Sequence, residues 1–186
     1  MYASEKTRYK LAEAMKRLME SQPLEKITVT QITELCDTTR PTFYRYFKDK
    51  YDLINWYFDK LAQRSFKQMG VSLSLREALL KKFEFMTLEK KFFSEAFSCE
   101  EQNNLIDYDY EMIYQFYCDF IRKSTPVEFT PDIEFLLRMY CRGSICMTAD
   151  WAKSGMKLSP ERMADLLIDA LPPRLSELFK DLSDTI

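Results

Sequence analysis

The chain has 186 residues, 46% of them apolar and 30% charged, which is enough for one sizeable core or two small domains sharing a long helix and too apolar for global disorder. Only three glycines occur, and so few turn formers favour an all-α fold over a β-rich one. The net charge of −2 divides unevenly: residues 1–50 carry ten Lys/Arg against seven Asp/Glu (+3), and residues 51–186 carry seventeen against twenty-two (−5).

A modestly basic head on an acidic body stays compatible with nucleic acid, because binding depends on the field at the contact face. No apolar run approaches the ~20 residues that span a bilayer, and the start, MYASEKTRYK, lacks the apolar core of a signal peptide. Cys36, Cys99, Cys118, Cys141 and Cys146 form no CxxC pair, and there is no histidine. A His-containing zinc site is thereby excluded, and a Cys-only one lacks the spacing. Reduced thiols, mostly in the core, and a cytoplasmic location are expected, with no metal and no cofactor.

In chain order, a first helix is expected from about Glu5 to Glu20, capped by Ser4. Leu11, Ala14, Met15, Leu18 and Met19 form its apolar stripe, and Lys6, Arg8 and Lys10 lie near its start. Pro23 ends the connection. Ile27 to Leu53 then reads as two short helices, a tight turn between them, and a third helix at once. Thr28 caps the first, with Val29, Ile32 and Leu35 at helical spacing. Cys36-Asp37-Thr38 makes the turn. Thr39 caps the second, with Arg40 and Pro41 in its first turn, where a proline's missing N–H does little harm. Phe43 and Phe47 share an apolar side, which leaves Arg40, Thr42, Tyr44, Arg45 and Tyr46 for the outer faces. A short helix that points polar, aromatic and basic groups outward suits a DNA major groove.

Lys50 opens a long helix to about Met69, with Leu53, Ile54, Tyr57, Phe58 and Leu61 at three- and four-residue steps and Gly70 as the stop. Ser74 to Glu77 is a capping box ahead of Leu79, Leu80, Phe83 and Met86. A short aromatic helix around Phe92, Phe93 and Phe97 follows, then a polar loop from Ser98 to Asn104. The next helix covers about Asp107 to Lys123, with Ile113, Phe116, Tyr117 and Phe120 inward. Thr130-Pro131 opens a long helix to about Ser154, stopped by Gly155, and Ser159-Pro160 repeats the device for a helix to Leu171. Pro172-Pro173 breaks it, and Leu175, Leu178 and Leu182 mark a last short helix.

The run Thr42-Phe43-Tyr44-Arg45-Tyr46-Phe47-Lys48-Asp49-Lys50 resembles the end of the recognition helix in the TetR family of bacterial transcriptional regulators. The resemblance covers roughly residues 5–60. Lys50 to Trp56, and Trp151 to Met156 before Ser159-Pro160-Glu161, are similar to the DhaS-like subgroup. It implies a helix-turn-helix DNA-binding domain over 1–49. A helical regulatory and dimerisation domain would occupy 50–186, with helix 50–69 as connector. Two positions depart from the family pattern. Asp37 stands where glycine is common in the turn, and aspartate tolerates the left-handed conformation at some energetic cost. Pro41 stands where a small residue is frequent, and it removes a backbone donor.

Within that motif Arg40 is the base reader, since its fork suits the O6/N7 acceptors of guanine. Thr42 is placed for a base edge or a thymine methyl, and Arg45 for a base or a phosphate. The hydroxyls of Tyr44 and Tyr46 are assigned to phosphate oxygens. Thr28, Thr39 and Lys50 sit at helix starts, whose exposed N–H groups attract anions.

The resemblance also implies a homodimer that reads two half-sites of a palindromic operator about one DNA turn (~34 Å) apart. Helices 131–154 and 159–171 are the expected dimer-forming pair. Gly143 supports this, because a mid-helix glycine costs about 1 kcal/mol against alanine and usually has a packing reason. Ser144, Ala149 and Ala152 also favour close helix approach. An effector in the C-terminal domain would move helix 50–69. The candidate pocket comprises Phe83, Met86, Phe93, Phe97, Tyr114, Tyr117, Met147 and Trp151, and suits an apolar or neutral ligand. In the DhaS-like subgroup a partner protein can be the effector instead. Repression is the commoner outcome in the family, and activation also occurs. An enzyme is not expected: there is no histidine base, no Gly-rich phosphate loop and no catalytic spacing. The alternative is a helical protein-interaction module, or an activator, whose effector is a partner protein.

Overall fold

The computed structural model describes residues 3–65, 68–69, 73–99, 104–124 and 127–180. Among them, ten α-helices follow in order: α1 Ala3–Ser21, α2 Val29–Leu35, α3 Arg40–Tyr46, α4 Lys50–Ala62, α5 Leu75–Leu88, α6 Lys90–Ser98, α7 Leu105–Ser124, α8 Pro131–Lys153, α9 Pro160–Asp169 and α10 Pro173–Leu178. A 3₁₀ turn, Leu24–Lys26, joins α1 to α2. The fold is all-α: no strand occurs among the described residues.

Local chemistry sets most boundaries where the sequence puts them. Thr28 and Ser74 each form a full capping box, with Gln31 and Glu77 as the reciprocal partners. Thr39, Thr130 and Ser159 accept from the backbone N–H three residues on, and each is followed within two residues by proline. α8 ends in a Schellman motif. Met156 N–H reaches Trp151 C=O at 2.8 Å, Gly155 N–H reaches Ala152 C=O at 3.2 Å, and Gly155 has φ +88°.

Two expectations fail. Ser4 is not the cap of α1, because the helix already runs from Ala3. The connector helix stops at Ala62 rather than Met69. Arg64 N–H bonds to Leu61 C=O and Ser65 N–H to Ala62 C=O, so the last turn tightens to i→i−3 bonds that apolar spacing does not distinguish from an α-helix. Gly70, residues 100–103 of the expected loop, and Leu182 lie outside the described residues.

In the head, Leu11, Met15 and Met19 of α1 are fully buried, and α1 packs on α2 and α4. In the body, α5 packs on α9, and α6 and α7 pack on α8. The two halves share one apolar core running from Leu11 to Phe179, through contacts of α1 with α6 and of α4 with α5 and α7. A polar cluster reinforces the joint. Lys16 Nζ donates to Glu89 Oε1 at 2.7 Å, and Tyr57 Oη donates to the same oxygen at 3.0 Å. Burial and the Glu89 charge push the Tyr57 phenol up to about 12. Deeper still, Lys82 of α5 and Asp109 of α7 form an ion pair at 2.5 Å, both buried. No helix among the described residues is long and apolar enough to cross a membrane.

Candidate nucleic-acid interface

The turn between α2 and α3 is a second Schellman motif. Thr38 N–H bonds to Thr33 C=O at 2.9 Å and Asp37 N–H to Glu34 C=O at 3.3 Å, which puts Asp37 at the position glycine usually fills, with φ +48°. The closed turn fixes where α3 starts. Thr39 Oγ then accepts from Thr42 N–H and lies 3.0 Å from Thr42 Oγ, so the Thr42 hydroxyl is tied to the cap.

Phe43 and Phe47 anchor α3 from below, 0% and 3% exposed. Their rings pack on each other, and Phe47 meets Trp56 of α4. The opposite side of α3 faces solvent. Arg40 and Arg45 are exposed and Tyr44 is half exposed, with the Arg40 guanidinium 5.9 Å from the centre of the Tyr44 ring. That stack stiffens a long side chain without using its hydrogen-bond fork. Tyr46 is half-buried and sits under the Arg8 guanidinium of α1 at 5.4 Å. Thr28 is exposed at the start of α2.

Lys50 has a different task from the one its sequence position suggests. Its Nζ donates to the carbonyls of Leu24, Glu25 and Ile27 at 2.7, 2.9 and 3.0 Å. Three carbonyls use all three ammonium protons, so Lys50 staples the α1–α2 connection to α4 instead of reaching for phosphate. The start of α4 is also filled. Asp49 caps it, accepting from Tyr51 N–H and Asp52 N–H at 2.8 Å each, and Asp52 accepts from Lys48 N–H. Two carboxylates at that helix end repel an incoming anion. Asp49 is a cap the sequence reading passed over, although an aspartate just before a helix is a standard signal.

Among the described residues, the eight candidate pocket residues do not line one common cavity. Met86 and Phe93 line a closed space of about 10 Å³ beside α4, with Phe58 and Lys82. Phe83 and Tyr117 line another of about 10 Å³ toward α8. Each has room for about one water molecule. Phe97, Tyr114 and Trp151 are buried side chains outside both linings. Met147 is a correction: it is 58% exposed on the outer face of α8 and faces away from that interior. Among the described residues no cluster of His, Cys, Asp and Glu has the geometry for a metal ion.

Comparison with known families agrees with the geometry. Residues 11–56 match the family described as bacterial regulatory proteins, tetR family, and residues 74–172 match a transcriptional regulator C-terminal region. The chain belongs to the TetR family. The families are regulators and not enzymes. A curated relative, the HTH-type dhaKLM operon transcriptional activator DhaS of Lactococcus lactis subsp. lactis (strain IL1403), is 37% identical over 49 residues. That match spans 26% of this chain and 26% of the relative, so it covers about a quarter of the relative's length. A solved structure titled dihydroxyacetone kinase operon activator DhaS superposes with a TM-score of 0.63 at 19% identity, covering 92% of this chain and 96% of that one. A TetR-family transcriptional regulator from Syntrophomonas wolfei str. Goettingen gives 0.54 at 17% identity, over 88% and 91%. These two likenesses are of fold.

Proposed function

We propose that this TetR-family protein binds a palindromic operator as a homodimer, inserting α3 of each copy into the major groove of one half-site. Residues 1–49 make the DNA contacts and residues 50–186 regulate them. The observation that carries the reading is the two-sided character of α3, with Phe43 and Phe47 fully packed and Arg40, Tyr44 and Arg45 presented to solvent. Arg40 reads a guanine edge, with Thr42 and Arg45 beside it. Tyr44, Tyr46 and the two capping threonines, Thr28 and Thr39, set the helix against the backbone.

Support for the dimer comes from α8. Phe135, Met139 and Met147 are 68, 54 and 58% exposed, and Gly143 falls between them, so the four residues make one line at four-residue spacing. A contiguous exposed apolar stripe of this kind marks an interaction surface. A Cβ built on Gly143 meets nothing within 4 Å, so packing inside one subunit does not explain the glycine, whereas a helix of a second copy would.

A partner protein has more support as effector than a small molecule, because the two interior cavities described above hold only about 10 Å³ each. Of the two signs of regulation, activation has the firmer support, since a relative matching over 49 residues carries the name activator; repression rests on family habit alone. The test is selection of bound duplexes from random-sequence DNA at near-physiological salt. Two inverted half-sites are expected. A folded protein that enriches no sequence favours the alternative, an interaction module without DNA binding of its own.

A further inference from the structure

Arg8 is a charged side chain of α1 that bridges α3 and the connector helix α4. Its guanidinium, carried by α1, lies 5.4 Å from the ring centre of Tyr46 at the end of α3 and 5.9 Å from that of Trp56 in α4. Ring faces attract a cation but do not neutralise it. Among the described residues Arg8 has no carboxylate partner, and its Nε is buried with no hydrogen-bond acceptor. The acid best placed to pair with it, Glu5 one helical turn earlier, is held by Lys60 at 3.2 Å. A half-buried guanidinium costs free energy to desolvate and normally finds an anion.

We infer that Arg8 and Tyr46 together form a clamp for one DNA backbone phosphate, flanking the groove that α3 enters. The two rings hold the guanidinium plane so that its two terminal amino groups, rather than the buried Nε, meet two phosphate oxygens, and the Tyr46 hydroxyl donates to the same group. The inference rests on the major-groove reading of α3, for a helix there brings the neighbouring strand to the side of the head where α1 meets α3. It gives Tyr46 a defined partner and adds to the contact set a residue from outside the helix-turn-helix segment. A phosphate contact positions the protein without reading sequence, so its signature differs from that of Arg40.

The experiment measures affinity against salt for the selected operator and for a scrambled duplex, with a thermal melt of every variant. Arg8→Met keeps an apolar stem against Tyr46 and Trp56 and removes the charge. It is expected to weaken both duplexes by a similar factor, about tenfold or more per half-site, as loss of a charge-assisted bond does. The slope of log affinity on log salt is expected to fall by about one unit per half-site, or about two per dimer. Arg8→Lys keeps the charge and is expected to restore most of the slope. Tyr46→Phe keeps the ring and is expected to lose affinity on both duplexes without changing the slope. Should Arg8→Met fail to fold, Arg8→Gln carries the same expectation. A wild-type slope in the folded Arg8 variant overturns the clamp and leaves the reading of α3 standing. A wild-type protein with no salt-dependent DNA binding overturns both.

Discussion

Head and body treat their arginines differently. Four of the body's seven arginines, Arg76, Arg138, Arg142 and Arg174, hold a carboxylate, on Asp165, Glu134, Asp107 and Asp132 respectively, while Arg64, Arg122 and Arg162 hold none among the described residues. The four arginines of the head, Arg8, Arg17, Arg40 and Arg45, hold none among the described residues. Exposed pairs stabilise little, so the difference is less about stability than about availability. A paired guanidinium must break a contact before it meets a phosphate, and an unpaired one need not. A net charge of −2 hides this, because it averages a head whose arginines hold no carboxylate with a body in which most do.

The comparison is most sharply strained at the buried pair of the body. Lys82→Met leaves Asp109 buried without its counter-charge and is expected to cost about 3–5 kcal/mol, whereas Lys82→Met with Asp109→Leu recovers most of that loss. Burial pushes the Asp109 carboxyl above its ordinary 3.8, and Lys82 pulls it back only in part. Without Lys82 the folded-state value rises further above the unfolded one. A raised value stabilises the fold below 3.8 and loses that contribution as pH climbs through the folded value. The melting deficit of Lys82→Met is therefore expected to be smallest in acid and to grow toward neutral pH. A deficit independent of pH would mean that the Asp109 charge is not the cause.

Next in size is Lys50, whose ammonium is already engaged by backbone carbonyls. Lys50→Met removes an ammonium shared by three carbonyls and is expected to cost about 2 kcal/mol. Its salt slope on DNA is expected to stay at the wild-type value once the folded fraction is accounted for. A slope lower by one unit would return Lys50 to the phosphate-contacting set.

The smallest effect is at the turn. Asp37 holds a left-handed conformation, and Asp37→Gly is expected to stabilise the head by roughly 0.5–1 kcal/mol, partly offset by the freer unfolded chain. The check is an upward shift of the melting temperature with DNA affinity unchanged. A downward shift would mean that the aspartate side chain contributes more than its backbone costs.

These cases also mark how far the sequence alone reaches. Boundaries written in local chemistry were legible: Thr28 before Val29, Thr39 before Arg40-Pro41, Ser74 with Glu77, and Gly155 after α8. So was the division of α3 into a packed and a presented side, because Phe43 and Phe47 lie four residues apart. Boundaries set by tertiary context were not. α4 keeps its apolar spacing past Ala62, while the chain has already tightened and turned. The Lys50 staple joins residues more than twenty positions apart, and Arg8 meets Tyr46 only because α1 crosses the end of α3. Aromatic and Met-rich spacing was likewise unable to separate a filled core from a pocket, and Met147 shares that spacing while facing solvent.

The central claim is that the presented side of α3 reads sequence, and its most direct test is the affinity of Arg40→Ala for the selected operator and for a scrambled duplex at one fixed salt concentration. A loss of about 1–3 kcal/mol on the operator, with preference relaxed at one base pair per half-site and the scrambled duplex little affected, is the expected result. Equal losses on both duplexes would contradict it, because Arg40 would then be one more contact to the backbone.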